Sequence, residues 1–131
     1  METTLYIVWQ HENETGSAIL DDQHRGIIAT INSLHYFIQL GYGLEALQPT
    51  LKIMEEYIGF HLKTEEMVLE ERKYPDLDES VSYHQKTLKQ LKKVSTEAMQ
   101  YRDPNMLLRF LREWWLVHLH EQHGRYCEYL Q

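Results

Sequence analysis

Cysteine is nearly absent from this chain: Cys127 is the only one in 131 residues. That excludes an internal disulfide framework and fits a reducing compartment. Basic charge is also in deficit, with 13 Lys and Arg against 20 Asp and Glu, a net charge of −7. No basic patch is available to neutralise phosphates, so no nucleic-acid partner is expected. Nor does a Lys/Arg cluster stand out that would draw the chain to an anionic membrane. No apolar run approaches the ~20 residues of a membrane span. The opening "METTLYIVWQHENETG" is charged and interrupted, unlike a signal peptide, so a cytoplasmic protein is expected. Proline and glycine are scarce, three and six residues, which leaves few places where a helix must stop. Residues 1–131 are long enough to bury one core and are expected to form a single domain.

The breaks that do exist fall at Gly41-Tyr42-Gly43, Tyr74-Pro75 and Asp103-Pro104. They leave four helical segments, roughly Ile19–Leu40, Leu47–Arg72, Asp78–Tyr101 and Pro104–Tyr129. Pro49 reads as a first-turn proline, and Asp103-Pro104 as N-cap and first helical residue. Asp76 with Glu79 reads as a capping box. The expected fold is all-α: an antiparallel up-down-up-down four-helix bundle with an irregular N-terminal arm. Leu5, Ile7, Val8 and Trp9 of that arm are expected to pack across one end of the bundle.

Histidine is the residue in excess. Eight in 131 is about three times the usual share of roughly 2%. The apolar stripes explain their placing. Leu20, His24, Ile27, Ile31, Leu34 and Ile38 share one face of the first helix. The second stripe is Leu47, Leu51, Met54, Ile58, His61, Glu65 and Val68. The third runs through Leu77, Ser80 or Val81, His84, Leu88 and Leu91, and the fourth through Leu107, Leu111, Trp114 and His118. Each helix interrupts its stripe with one histidine, and the second adds a glutamate one turn later.

A lone histidine on an apolar stripe is ordinarily a core residue hydrogen-bonded to a neighbour. Four, one per helix and at compatible heights in an antiparallel bundle, argue for a metal site instead. Buried Glu65 would cost several kcal/mol without a cation, about what a metal removes. His120 points away from His118, and a surface pairing of His120 with His123 is the competing use of those two. His11 and His35 read as structural or solvated, and Cys127 as a packing residue. Met54, Met67, Met99 and Met106 read as core fillers. Glu66, Glu70, Glu71, Lys89, Lys92 and Lys93 read as solvated faces. No arrangement for nucleophilic catalysis and no phosphate loop is present.

"IVWQHENETGSAILDDQH" resembles the arm and first helix of the hemerythrins, notably their bacterial members, with Trp9, Gly16 and Asp21-x-Gln23-His24 in place. "FHLKTEEMVLEERKYP" resembles their second-helix motif, and "WWLVHLHEQHGRY" their fourth. The similarity spans nearly the whole chain and implies one hemerythrin-like metal-binding domain. It also implies a non-haem di-iron site with an oxo or hydroxo bridge, five histidines and two bridging carboxylates, which binds O2 reversibly. His24, His61, Glu65, His84 and His118 fall on ligand positions of the family. Two positions depart from it: Ser80 stands where the first histidine of the third helix belongs, and His123 where the bridging aspartate belongs.

The two departures read as complementary. His123 would join His84 and His118 on one metal, and Glu65 would bridge to a second held by His24 and His61. Ser80 would leave room for water or an exogenous ligand. Losing the aspartate leaves the centre one charge more positive, which should raise its reduction potential and weaken O2 binding. Imidazole-rich donors also suit zinc. The leading expectation is therefore a carrier or sensor of O2 or a similar small ligand, with a signalling partner left open. The alternatives are an iron- or zinc-holding bundle without reversible O2 binding, and a peroxidase- or oxidase-like protein.

Overall fold

The computed structural model describes residues 4–131, the side chains of Gln122 and His123 excepted. Four long helices, α1 (Ala18–Gln39), α2 (Gly43–Glu71), α3 (Leu77–Tyr101) and α4 (Pro104–Glu121), carry the fold, and no strand occurs among the described residues. Each packs on the next and α4 returns to α1, closing the expected antiparallel ring. A single π-helical turn, Gln122–Tyr126, then leads into the short α5 (Cys127–Leu130). The expected unbroken fourth helix is thus interrupted. Inserting one wide turn shifts the register of the C-terminal residues, and Tyr126 and Leu130 become buried.

All three inter-helix turns use one device. Gly41, Lys73 and Arg102 adopt positive φ of 86°, 59° and 52°. The amide of the next residue reaches back five residues in each case: Tyr42 to Phe37, Tyr74 to Leu69 and Asp103 to Ala98, at 2.8–2.9 Å. These are left-handed helix ends that satisfy the last carbonyls. Only the first carries the glycine that favours this conformation. Replacing Lys73 by glycine is expected to raise stability by about 1 kcal/mol, because a side chain in this region costs about that much. A denaturant titration of the metal-free protein would show it as a higher midpoint; an unchanged one would count against strain at this turn.

Three expected details differ. α2 begins at Gly43, so Pro49 lies inside the helix rather than in its first turn. The turn at Gly41 already reverses the chain, and helix starts at once. Asp76 takes the N-cap of α3 without the side-chain bond of a capping box, whereas Asp103 accepts from the amides of Asn105 and Met106 at 3.1 and 3.3 Å. The arm runs along the flank of α1, not across an end. Ile7 exchanges two 2.8 Å hydrogen bonds with the Asn32 amide, and Arg25 stacks on Trp9. Ile7 and Trp9 pack on the core while Leu5 and Val8 stay exposed, as do Met67 and Met99. Met54 alone of the four methionines is fully buried.

The interior is layered. Most of it is one apolar core built around Ile27, Ile31, Leu34, Met54, Ile58, Leu107 and Leu111. A smaller cluster, Leu20, Leu69, Tyr74, Tyr126 and Leu130, seals one end. Between the two lies a polar layer, and every helix contributes to it.

Candidate metal centre

Helical periodicity puts His24 one turn beyond Leu20 and His61 one turn before Glu65 on the buried faces of their helices, and the two rings meet at one height, Nε2 to Nε2 at 3.0 Å. His24, His61 and Glu65 have no solvent exposure, and His84 and His118 have 1% each. The Nε2 atoms of His24, His61 and His118 form a near-equilateral triangle with sides of 3.0, 3.0 and 3.2 Å. Its centre lies about 1.8 Å from each nitrogen, close to a metal–imidazole bond of ~2.0–2.1 Å. Glu65 Oε2 stands 3.2 Å from His118 Nε2 and 3.6 Å from His61 Nε2. The other carboxylate oxygen, Oε1, stands 3.3 Å from His84 Nε2. Three imidazoles and a carboxylate converging in a dry layer fit a divalent cation such as iron or zinc.

The surroundings fix the rings. Gln23 Oε1 accepts from His61 Nδ1 at 2.8 Å, and the Gln23 amide donates to Thr64 Oγ1 at 3.1 Å. Thr64 in turn donates to the Phe60 carbonyl at 3.0 Å, which settles the direction of the whole relay. His61 is therefore protonated on Nδ1 and presents the lone pair of Nε2 inward. Burial, then the neighbouring His118, pushes its pKa down to about 3, so the ring is neutral and fit to bind metal. The indole of Trp114 stacks on His118 at 4.8 Å, and Trp115 meets His24 edge-on at 5.1 Å.

Glu65 and His84 form the other half. Burial alone would push the Glu65 carboxyl up, but the His118 and His84 imidazoles hold it well below the usual carboxylate range. Burial would likewise lower His84, yet Glu65 and Glu66 together raise it. Its Nδ1–H donates to Glu66 Oε2 at 2.8 Å.

The structure brings His24, His61, Glu65, His84 and His118 together in one layer. The Nε2 atoms of His24, His61 and His118 lie within 3.2 Å of one another, and Glu65 reaches both His118 and His84. The expected role of His123 lies outside the described residues. Ser80 is buried, and its hydroxyl shares a 2.9 Å hydrogen bond with Tyr126. The phenol that meets it belongs to the π turn after α4 and is itself buried. Burial pushes the Tyr126 pKa up to about 12, so this phenol stays protonated.

Two roles escaped sequence reading. Glu66 looked like a solvated residue, yet it orients His84; the only available signal was its place beside a buried glutamate. Asp21 is structural, its Oδ1 accepting from Thr15 N and Oγ1 at 2.9 and 2.8 Å and so tying the arm to α1. Gln23→Leu should keep the fold and lower metal affinity about 10–100-fold, the usual effect of losing a ligand's orienting partner. Competition with a chromophoric chelator would measure it, and unchanged affinity would sink the orienting role.

No helix among the described residues is long and apolar enough to cross a membrane. Residues 15–129 match the family described as the hemerythrin HHE cation binding domain. The chain is similar to the bacteriohemerythrin of Pseudomonas aeruginosa (strain LESB58), 32% identical over 69 residues, 53% of this chain and 44% of that protein. The Pseudomonas paraeruginosa bacteriohemerythrin shows the same figures. That of Stenotrophomonas maltophilia is 27% identical over 110 residues, 84% of this chain and 71% of its own length. The match thus spans less than half of the Pseudomonas relatives. With a family match across nearly its whole length and a buried layer able to hold a cation, this chain belongs to the hemerythrin HHE cation-binding domain family.

Proposed function

We propose that residues 1–131 form one cytoplasmic, non-haem di-iron domain that binds O2 or a comparable small ligand as a carrier or sensor. His24, His61, Glu65, His84 and His118, with His123, hold the metal. The observation that carries this reading is the triangle of three Nε2 atoms beside a fully buried carboxylate. Iron, when bound, supplies the change of oxidation state that O2 binding requires. The chain supplies the rest. Glu65 compensates positive charge in a low-dielectric layer, Gln23 and Glu66 orient two of the rings, and Trp114 and Trp115 wall the site from water.

A second reading, iron or zinc held without reversible O2 binding, is favoured by one observation. Ser80 is engaged with Tyr126 where the family resemblance implies a ligand. Elemental analysis of protein purified without added metal, with spectra of the same sample before and after air, tests both. About two irons and a reversible visible change support O2 binding. Zinc, or iron blind to O2, supports the second reading.

A further inference from the structure

We propose that the outer face of α2 is an interface on which a second copy of this chain docks antiparallel, around a two-fold axis at Phe60. The inference is independent of the metal centre and starts from side chains that the bundle leaves uncovered.

Ile53, Phe60 and Met67 of α2 are 49%, 66% and 62% exposed. They stand seven residues apart, so they share one face of the helix, and at a rise of ~1.5 Å per residue they span ~21 Å. Phe37 of α1 and Tyr42 at the following turn are about half-exposed and line the same groove as Ile53, which widens the patch. Five large side chains uncovered to this degree present on the order of 100 Å² each, about 500 Å² together. One half of a standard protein interface is about 800 Å², a little over half of it non-polar. The patch therefore has the apolar area that a stable dimer needs.

The charges between these residues decide the occupant. Glu56 and Lys63 fall at the heptad offsets between Ile53, Phe60 and Met67, and both are exposed. Neither enters an ion pair among the described residues. Antiparallel pairing at Phe60 sets residues equally far before and after it side by side. Phe60 then meets its own counterpart, Ile53 meets Met67, and Lys63 lies within one residue of level with Glu56. The two-fold axis makes the last two contacts twice. Parallel pairing would instead set Glu56 on Glu56 and Lys63 on Lys63, so charge selects the antiparallel arrangement. This stretch of α2 thus matches its own reverse in both apolar and charged positions. Self-association requires that symmetry, whereas docking of an unrelated helix does not.

The test is sedimentation velocity of the full chain, carrying its metal as purified, across a concentration series under reducing conditions that keep Cys127 from cross-linking copies. The expected result is a reversible dimer with a Kd no weaker than about 10 µM, as interfaces of this size give. Phe60→Glu should weaken it at least about 100-fold by placing two like charges on the axis, with helix content and metal content unchanged. Lys63→Glu should weaken it about 10-fold. Adding Glu56→Lys to that variant should return the Kd to within about 3-fold of the unaltered chain, because the pair is restored with its signs exchanged. A chain still monomeric at about 100 µM would overturn the proposal and leave the patch to another occupant, such as an amphipathic helix of a different protein. A dimer that survives Phe60→Glu would place the interface elsewhere and equally overturn it. So would a loss in Lys63→Glu that Glu56→Lys does not recover, since the register would then be wrong.

Discussion

Glu65→Gln is expected to lower metal affinity at both halves of the centre by at least about 100-fold, the largest effect of any single near-isosteric change in this chain. The substitution keeps the shape and removes one charge. Glu65 is fully buried and reaches His118 through Oε2 at 3.2 Å and His84 through Oε1 at 3.3 Å. One end of a glutamine must present an NH2 group, so one of those two contacts becomes a donor facing a metal or a ring nitrogen. In a layer between two apolar clusters, a divalent ion then lacks the charge that offsets its own desolvation. The fold should survive, since the helices are held chiefly by the larger apolar core. Chelator competition reads the affinity and circular dichroism the helix. Retained metal in the folded variant would show that the imidazoles suffice.

Acidification should destabilise the metal-free protein steeply between about pH 6.5 and 3. His61 has its folded-state pKa lowered to about 3 by burial and the neighbouring His118. The unfolded chain takes up that proton near pH 6.5, so at lower pH the unfolded state binds more protons than the native one. That linkage alone is on the order of 4–5 kcal/mol across the window, a large part of a small domain's stability. Glu65 acts in the same direction. Its folded pKa is depressed, so its stabilisation is present above the usual carboxylate range and is lost as pH falls through the folded value. His84 has the opposite sign. Its raised pKa stabilises the fold below about 6.5, and that contribution is lost as pH rises through the folded value. Urea midpoints measured from pH 7.5 to 3.5 should therefore pass through a maximum near neutrality and drop on the acid side. His61→Leu should flatten the acid limb. A midpoint constant between pH 6.5 and 4 would rule out a neutral buried His61. With metal bound, the same limb should coincide with metal release, because protons and metal compete for the same nitrogens.

These expectations rest on residues that differ in how visible they are from sequence. His24, His61, Glu65, His84 and His118 stood out because each breaks an apolar stripe of period 3.6, a signal that any helical alignment preserves. The bundle followed from the same periodicity and from three breaks in the chain. Gln23 and Asp21 sat inside a recognisable motif, but their separate tasks, orienting His61 and anchoring the arm, depend on partners 38 and 6 residues away. Glu66 carried no signal beyond its place beside a buried glutamate. Lys73 and Arg102 end their helices in a conformation that sequence reading expects of glycine, because satisfying the last carbonyls outweighs about 1 kcal/mol of backbone strain.

Legible in the chain alone were the four long helices, the faces they bury and the height at which four histidines and one glutamate meet. Those depend on short-range periodicity and on matched helix lengths. Which of these side chains lie closest together emerges only in three dimensions. A periodic pattern places a residue on a face to within a wide arc, whereas grouping His118 with His24 and His61 turns on side-chain separations near 3 Å. The fate of Ser80 was decided in the same way. One π turn after α4 brings Tyr126 within 2.9 Å of its hydroxyl, and no local pattern in the chain announces a turn of that kind.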